Sequence, residues 1–341
     1  MFSTFSANRR NRPNRGVSIF SAIAVVAACF AAPGAMADSA YPSRPLTLIV
    51  PTAAGGPVDI AARIVAAQAT KILGQQLIVE NRPGANQKIG MLNMLRAPKD
   101  GYTLAAVSPA SLTIGPVIDK DLGYDPQKDL TLLTCAIDIP TVLVVPPAFP
   151  AHNMKEFVAY ARANPTKISY GSGGSGTSLN FSTEGLLVKL GIKALQVPYN
   201  SSGPAFAGLL GGQISLLMPD VAAAKGQIDA GKLTALAVTG TKRADFLPNV
   251  PTLQESGVPE LKDFSYKTWV GFVMSGAVPK DVSDKLRTAL IAALHTPEVG
   301  EAFKRIGFVV VASSPKEFGA QLRAEVDINR KLVASGVVKV E

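Results

Sequence analysis

The hydrophobic positions of this chain form short runs rich in β-branched residues, which alternate with longer segments of helical spacing. Leu46–Val50 is an uninterrupted apolar run and predicts a buried strand, while the spacing over Pro57–Leu73 predicts a helix. Further strands are predicted at residues 77–79, 103–107, 142–145, 167–170, 194–197, 214–217, 235–238, 269–274 and 308–311. Further helices are predicted at residues 154–163, 177–189, 222–230, 280–295 and 315–334, and another follows residue 295 and ends at 306. This alternation predicts an α/β fold with mixed, mostly parallel sheets.

The first 37 residues have a separate pattern. Four arginines between positions 9 and 15 precede an uncharged apolar stretch at residues 17–30, and Ala35-Met36-Ala37 follows as a cleavage site. The pattern predicts a signal peptide over residues 1–37. An exported chain in which no internal disulfide can form, since one cysteine remains after cleavage, predicts a periplasmic location. A membrane anchor is the alternative, which the short apolar run disfavours. Acylation of Cys29 in a lipoprotein box is a second alternative.

Length and charge narrow the function classes. The 341 residues are enough for two domains, and a chain that is 47% hydrophobic and 17% charged is not disordered. The net charge of +9 falls to +5 without the leader, and no Lys/Arg run follows, so we expect no nucleic-acid partner. Cys135 is the one cysteine left, so no internal disulfide is expected. No later segment has the length and hydrophobicity of a membrane span, which predicts a soluble mature protein.

A glycine-containing loop, PTAAGGPVD at residues 51–59, joins the first strand to the first helix. Gly55 and Gly56 let the backbone approach a ligand, and the free N–H groups of the first helical turn favour an anion there. Asp59 either caps that turn or contacts the ligand. An ordinary strand-to-helix turn explains the loop equally well.

A second loop, GSGGSGTS at residues 171–178, also lies between a predicted strand and a predicted helix. It contains G-x-G-x-x-G, but a dinucleotide site needs an acidic residue about 20 positions on, and residues 190–200 contain none. The hydroxyl groups and the helix N-terminus suit a small anion such as a carboxylate. A flexible loop with helix caps is the alternative.

Catalytic residue sets are scarce in this sequence. His152 and His295 are distant from each other and from Cys135, so they predict neither a catalytic triad nor a metal site. No cofactor is expected, and no pair of acidic residues stands out for acid–base catalysis.

Short motifs in a fixed order along the mature chain resemble the substrate-binding proteins of tripartite tricarboxylate transporters, the Bug family. The resemblance covers essentially the whole mature chain. The motifs are YPSRP at residues 41–45, GGPVD at 55–59, VENRPGA at 79–85, DGYTL at 100–104, YDP at 124–126, VPY at 197–199, LGGQ at 210–213, AGKL at 230–233, LAVT at 236–239 and LPNVPT at 247–252.

This resemblance implies a periplasmic binding protein of type II-like fold, with two lobes and a cleft between them. Lobe 1 would comprise residues 38–141 and 265–341, and lobe 2 residues 142–264, with hinge strands near 141–145 and 269–274. It also implies a small carboxylate ligand held by both lobes, and a large and a small integral membrane permease subunit as partners. We expect the receptor to be a monomer.

The resemblance also implies which residues contact the ligand. The implied residues are Thr52, Ala54, Gly55, Gly56 and Asp59 in the first loop, Ser108 and Ser111 after the 103–107 strand, Ser172, Ser175, Gly176 and Thr177 in the second loop, and Tyr199 and Asp220. The last two also have structural alternatives: the Tyr199 ring is simply packed in the protein, or Asp220 is a helix N-cap.

Several positions depart from the family pattern. Thr52 replaces a frequent aromatic residue, residues 86–88 replace a glycine pair, Gly115 replaces a common Asn, and Asn180 replaces a common His. Because the glycines of both loops are kept, the departures concern the identity of the ligand more than its class. Lys88 suits a second acidic group of the ligand, or is simply solvated.

The function that these features predict is capture of a small carboxylate and its delivery to a transporter. A receptor that feeds a signalling system has the same fold and is an alternative. A periplasmic enzyme acting on a carboxylate is a further alternative, which the missing catalytic sets disfavour.

Overall fold

The computed structural model describes residues 41–174, 176–199, 202–264, 266 and 268–336. The predicted signal peptide and Cys29 lie outside these ranges. The strands are β1 (Leu46–Val50), β2 (Leu77–Asn81), β3 (Thr103–Val107), β4 (Leu130–Ile139), β5 (Val142–Val145), β6 (Ser169–Ser172), β7 (Leu195–Pro198), β8 (Thr234–Val238), β9 (Thr268–Ser275) and β10 (Val309–Val310).

Helices connect most of these strands, and the first is closed by Gly74 in a left-handed conformation. The helices are α1 (Pro57–Leu73), α2 (Lys88–Arg96), α3 (Gly115–Ile118), α4 (Met154–Ala163), α5 (Ser178–Lys189), α6 (Ser202–Leu210), α7 (Val221–Asp229), α8 (Lys280–Leu294), α9 (Pro297–Arg305) and α10 (Pro315–Ala334). A π-helical turn, Ala110–Ile114, precedes α3, and short 3₁₀ turns lie at Ala85–Gln87, Gln254–Ser256 and Pro259–Leu261.

Six strands form the large sheet, in the order β10-β4-β9-β3-β1-β2. The pairs β1–β2 and β1–β3 are parallel, whereas β3–β9, β4–β9 and β4–β10 are antiparallel. Consequently β1, β2, β3 and β4 run in one direction, and β9 and β10 run in the other. The expected mixed, mostly parallel α/β fold is therefore confirmed.

The remaining strands form two small sheets, antiparallel β5–β8 and parallel β6–β7. Isolated bridges from residues 216 and 217 connect them, because Leu216 pairs with Tyr170 in β6 and Leu217 pairs with Val144 in β5. We call residues 41–139 and 268–336 the large-sheet region, and residues 140–264 the small-sheet region. Both belong to one compact unit that begins at Tyr41, and the lobe boundaries expected above remain a prediction.

Alternate residues of each strand point to opposite faces of the sheet, so the large sheet has a hydrophobic core on each face. In β1, Leu48 and Val50 pack in the cluster that contains α1 and α8, whereas Ile49 packs on the opposite face with Met91 of α2 and Phe318 of α10. Separate buried clusters fill the small-sheet region around β5, β6 and β8. No helix within the described ranges has the length and hydrophobicity to span a bilayer.

Most predicted elements match the structure, and α1, α4 and α10 match to the residue. The predicted strand at 167–170 is displaced to Ser169–Ser172. In place of the predicted strand at 214–217, Leu216 and Leu217 make isolated bridges. Four of the described strands and helices were missed, namely β4, α2, α3 and α6. In β4, polar Thr131, Thr134 and Asp138 interrupt the apolar run.

Candidate functional site

Three loops lie together at one edge of the large sheet. They follow β1, β2 and β3, which are neighbours that run in the same direction, so their carboxyl ends share that edge. Side-chain hydrogen bonds join the loops in pairs. Asn81 Nδ2 donates to Thr52 O at 3.1 Å, and Gln87 Nε2 donates to Ser108 Oγ at 2.6 Å. The three loops therefore form one continuous surface.

The first glycine loop is held by a buried carboxylate. Asp59 is 2% exposed and accepts hydrogen bonds from Gly55 N–H at 2.9 Å, from Asn81 Nδ2 at 2.8 Å and from Arg63 Nε at 3.0 Å. Burial alone would raise the pKa of Asp59, but these hydrogen bonds and the Arg63 charge outweigh it and lower the pKa. Because the Asp59 carboxylate is buried and hydrogen-bonded to the loop and its neighbours, its role is to position the loop.

The glycines of this loop leave the backbone accessible. Gly55 is exposed and has a φ of +82°, a value that favours glycine. Gly56 occupies the N-cap position of α1, and no side chain caps the helix there. Ala54 is exposed beside them, and the hydroxyl of Thr52 is buried with no hydrogen-bond partner. The loop therefore presents the N-terminus of α1 without a cap of its own.

The second loop of this edge has an unusual backbone. Ala85, Asn86 and Gln87 have φ values of +44°, +47° and +77°, which L residues adopt at a cost. Gln87 is 9% exposed, and its Oε1 has no partner. Lys88 follows at the start of α2 and pairs with Asp119 Oδ2 at 3.1 Å. This run turns the Asn86 side chain towards the small-sheet region and buries that of Gln87.

The third loop carries Ser108 and Ser111, and both are buried. Ser111 Oγ donates to the carbonyl of Ser108, and the Tyr124 hydroxyl donates to the carbonyl of Ser111. Ser111 is fully enclosed, so its contacts shape the loop, whereas Ser108 Oγ faces Gln87.

A buried polar cluster fixes the π-helical turn that follows. Glu325 of α10 accepts hydrogen bonds from Trp269 Nε1 at 2.9 Å and from Thr113 Oγ1 at 3.2 Å, and Asn329 Nδ2 donates to the Thr113 carbonyl. Burial raises the pKa of Glu325 to about 7, against the hydrogen bonds from Gln321, Trp269 and Thr113. The turn that carries Ser111 is thereby tied to α10 and β9.

The glycine loop of the small-sheet region lies at the carboxyl end of β6. Ser172 is 1% exposed, and its Oγ accepts from Gly174 N–H at 3.1 Å and from Gln196 Nε2 at 2.7 Å. Thr177 caps α5, because its Oγ1 accepts from Asn180 N–H at 3.3 Å and donates to the Gly174 carbonyl. Ser175 lies outside the described residues. Neutral hydroxyls hold this loop where a carboxylate holds the first.

Behind the α5 cap lies a chain of three buried polar side chains. Asn180 Nδ2 donates to the Tyr170 hydroxyl at 2.8 Å, and that hydroxyl donates to Glu184 Oε1. Burial raises the pKa of Glu184, and the hydrogen bond from Tyr170 opposes that shift. Asn180 Oδ1 is left buried with no partner.

Among the described residues, a hydrogen bond joins the two regions at these loops. Asn86 Nδ2 donates to the Gly176 carbonyl at 3.1 Å. Gly176 has a φ of +81°, and a Cβ there would lie 2.8 Å from Cδ1 of Ile118. The glycine therefore permits the close approach of the small-sheet loop to the large-sheet region.

Tyr199 and Asp220 differ from the loop residues. The Tyr199 ring packs against Gly171 and Gly208, where a Cβ on Gly208 would meet the Tyr199 hydroxyl. Asp220 occupies the N-cap position of α7 without making a cap hydrogen bond, and its backbone pairs with Thr141. Burial raises the pKa of Asp220 to about 6. The packed ring considered for Tyr199 is present, whereas the side-chain cap considered for Asp220 is not.

The sequence of this chain matches a known protein family. The family described as "Tripartite tricarboxylate transporter family receptor" matches residues 61–335. The chain belongs to this family. The resemblance drawn from the short motifs is thereby confirmed.

Solved structures of family receptors give the same result. The periplasmic binding protein BugD is 34% identical with a TM-score of 0.72, over 88% of this chain and 99% of that one. An R. palustris protein solved with adipate is 28% identical with a TM-score of 0.74, over 86% and 97%. MatC from Rhodopseudomonas palustris, solved with bound malate, is 27% identical with a TM-score of 0.72, over 86% and 100%. The periplasmic-binding-protein fold is thereby confirmed.

Four residues that the sequence did not assign to the site hold or connect these loops: Asn81, Asn86, Gln87 and Asn180. Asn81 falls at the end of β2, where an Asn-Arg-Pro-Gly sequence predicts only a turn. The other three were recognised as departures from the family pattern, which was the available signal. Among the described residues, no group of three His, Cys, Asp or Glu side chains could hold a metal ion.

Proposed function

We propose that this protein captures a small carboxylate between the loops of its two regions and delivers it to the membrane subunits of a tripartite transporter. The observation that carries the proposal is the pairing of two glycine loops, each at the N-terminus of a helix, with a hydrogen bond between the regions at Asn86 and Gly176.

Backbone dipoles are the proposed source of anion affinity. The first turn of α1 has no side-chain cap, and the first turn of α5 is capped by a neutral hydroxyl. Both ends therefore offer N–H groups and a positive partial charge to a carboxylate. Thr52, Ala54, Gly55 and Gly56 are the proposed contacts from the first loop, with Ser108 beside them.

The loop before α5 supplies the opposing contacts in this proposal, from Gly176 and Thr177. Ser175, which the sequence analysis assigned to the ligand, is a further proposed contact from this loop. Asp59, Ser111 and Ser172 act by holding the loops, because their side chains are buried and engaged within the protein. Tyr199 and Asp220 remain proposed contacts.

Ligand capture is coupled to closure in this proposal. A carboxylate that contacts both regions stabilises the arrangement in which they meet, and a membrane partner distinguishes that arrangement from an open one. The hinge would lie where the chain passes between regions, near residues 141–145 and 269–274. We propose the periplasm as the site of action and a binding role without turnover, since BugD is a periplasmic binding protein.

Binding to purified mature protein tests this proposal. We expect adipate, malate or another small mono-, di- or tricarboxylate to raise the melting temperature and to bind in calorimetry, with the acid recovered unchanged. A sugar of similar size serves as the negative control. Stabilisation by sugars or cations, with none by any carboxylate, would contradict the ligand class, and turnover of the bound acid would contradict the binding role.

A further inference from the structure

We infer that the carboxylate bound by this protein also carries a hydroxyl group, a conclusion that rests on the proposed function. Three buried polar atoms without a hydrogen-bond partner lie on the loops of the proposed site or directly behind them: Thr52 Oγ1, Gln87 Oε1 and Asn180 Oδ1. About nine in ten buried polar groups in proteins are paired, so this grouping needs a partner that the chain does not supply.

The three atoms come from different elements of the same site. Thr52 follows β1, Gln87 follows β2, and Asn180 belongs to the first turn of α5. The hydrogen bond from Asn86 to Gly176 joins the residue before Gln87 to the residue before the α5 cap. The unpaired atoms are therefore distributed over both sides of the junction where the ligand is proposed to bind.

Two of the three atoms are amide oxygens and can only accept a hydrogen bond, whereas the Thr52 hydroxyl can donate or accept. The Tyr170 hydroxyl gives its proton to Glu184, so it accepts from Asn180 Nδ2 and leaves Asn180 Oδ1 as the free atom. The Gln87 Nε2 group is engaged by Ser108, which leaves Gln87 Oε1. A carboxylate has no proton to offer the two amide oxygens, whereas an alcohol can donate one to them and can also accept from a hydroxyl such as that of Thr52.

A hydroxyl fits these atoms better than an ammonium group. All three side chains are neutral, and the buried Asp59 is already engaged by Arg63, Asn81 and Gly55. An ammonium at this place would lose its hydration without gaining an ionic partner from these side chains. A hydroxyl costs less to bury and satisfies acceptors of this kind.

Matched ligand pairs test the inference. Calorimetry would compare succinate with malate, glutarate with 2-hydroxyglutarate, and butanoate with 3-hydroxybutanoate, and aspartate would replace malate as the ammonium arm. In the pair with the tightest binder, we expect the hydroxylated acid to have a Kd at least tenfold lower. Equal Kd values within each pair, or a gain only with aspartate, would overturn the inference alone. Absence of binding by every acid would count against the proposed function.

Variants separate a ligand contact from a structural role. Thr52→Val removes one unpaired atom, so we expect unchanged or higher stability of the free protein. Gln87→Met removes another but also loses the hydrogen bond to Ser108, so we expect lower stability. Both variants should show a smaller preference for the hydroxylated acid. Thr134→Val is the matched control, because Thr134 is buried and donates to the Ser313 carbonyl at 2.8 Å in the large sheet. It should lower stability and keep the preference. An unchanged preference in both site variants would overturn the inference.

Discussion

The glycine loop before α1 is held by charge, whereas the loop before α5 is held by neutral groups. In the first, Asp59 is buried against Arg63 and Asn81. In the second, Ser172 and Thr177 make the corresponding contacts with hydroxyls. The two loops follow parallel strands and open helices alike. Their similarity in sequence therefore conceals two different ways of stabilising an exposed helix N-terminus.

The carboxyl groups behind the two loops respond differently to their surroundings. Hydrogen bonds outweigh burial and lower the pKa of Asp59, while burial dominates and raises the pKa of Glu184. Asp59 therefore places a compensated negative charge beside the proposed anion site, and Glu184 tends towards its neutral form. Variants in each loop should distinguish a loop that needs its charge from one that does not.

The largest expected effect is loss of affinity in Gly56→Val. Gly56 has an ordinary φ of −79°, and a Cβ there would make a normal 3.5 Å contact with the Ala53 carbonyl. The side chain therefore fits the folded protein but occupies the space that a ligand needs. We expect a Kd about 100-fold higher, which is about 2.7 kcal/mol, measured by calorimetry with the tightest-binding carboxylate.

Urea unfolding supplies the control for this variant, and we expect stability to change by less than about 1 kcal/mol. A substitution in the loop before α5 should behave differently. A Cβ at Gly176 would lie 2.8 Å from Ile118 Cδ1, so Gly176→Ala should lower stability as well as affinity. Unchanged affinity in a folded Gly56→Val protein would exclude the loop before α1 from the site.

Asp59→Asn should have the next largest effect, this time on stability. The substitution removes a buried charge that Gly55, Asn81 and Arg63 all contact. We expect a loss of about 2–3 kcal/mol in the free energy of unfolding at pH 7. Because the folded pKa of Asp59 is lowered, its contribution is present above the unfolded pKa and is lost as pH falls through the folded pKa.

The pH dependence provides the check on that prediction. The stability difference between the parent and Asp59→Asn should shrink towards zero in strong acid, measured by urea unfolding at successive pH values. Glu80→Gln is the matched control, because Glu80 pairs with Arg82 at the exposed surface and should contribute about 0–1 kcal/mol. A difference that persists in acid would mean that Asp59 acts by shape and not by charge.

The same two loops show how much could be predicted from sequence. The strands and helices around them follow from local hydrophobic periods, so β1, α1 and β3 have their predicted bounds. Which side chains hold the loops depends on contacts between residues distant in sequence. Asn81 reaches Thr52 and Asp59 because β2 lies beside β1, and no local pattern encodes that pairing.

Residues 85–87 show a second limit of sequence analysis. Left-handed backbone at three successive non-glycine residues is disfavoured by local sterics, so propensity predicts neither this turn nor α2 after it. Tertiary contacts from Asn86 to Gly176 and from Gln87 to Ser108 oppose that cost. The family pattern drew attention to these positions, but only the structure shows what their side chains contact.

Asn86→Gly should separate the junction of the loops from the loops themselves. It removes the hydrogen bond to Gly176 at the exposed edge of the junction, and glycine suits the φ of +47°. We expect a Kd about three- to fivefold higher, the effect of one net hydrogen bond of about 1 kcal/mol, with stability unchanged or slightly higher.

Ala85→Gly is the matched control for this variant. It relieves the same kind of backbone strain, at a φ of +44°, without removing a contact between the regions. Calorimetry on both proteins should show weaker binding for Asn86→Gly alone. Equal affinities in the two variants would mean that the hydrogen bond between Asn86 and Gly176 does not contribute to capture.

The smallest expected effect is a change of pH dependence in Glu184→Gln. Burial raises the pKa of Glu184, so the folded protein retains a proton that the unfolded chain releases, and stability falls as pH rises through the folded pKa. Glutamine keeps an oxygen for the Tyr170 hydroxyl but has no proton to lose. We therefore expect a smaller loss of stability between pH 4.5 and pH 8, roughly the window above the unfolded pKa.

Urea unfolding of parent and variant across this window measures the effect. Asp220 and Glu325 also have raised pKa values, about 6 and about 7, but they are present in both proteins and cancel in the comparison. Asp59 loses its contribution only at lower pH, because its pKa is lowered. Parallel pH profiles would show that Glu184 titrates alike in the folded and unfolded chains, and the contrast between the two loops would then rest on Asp59 alone.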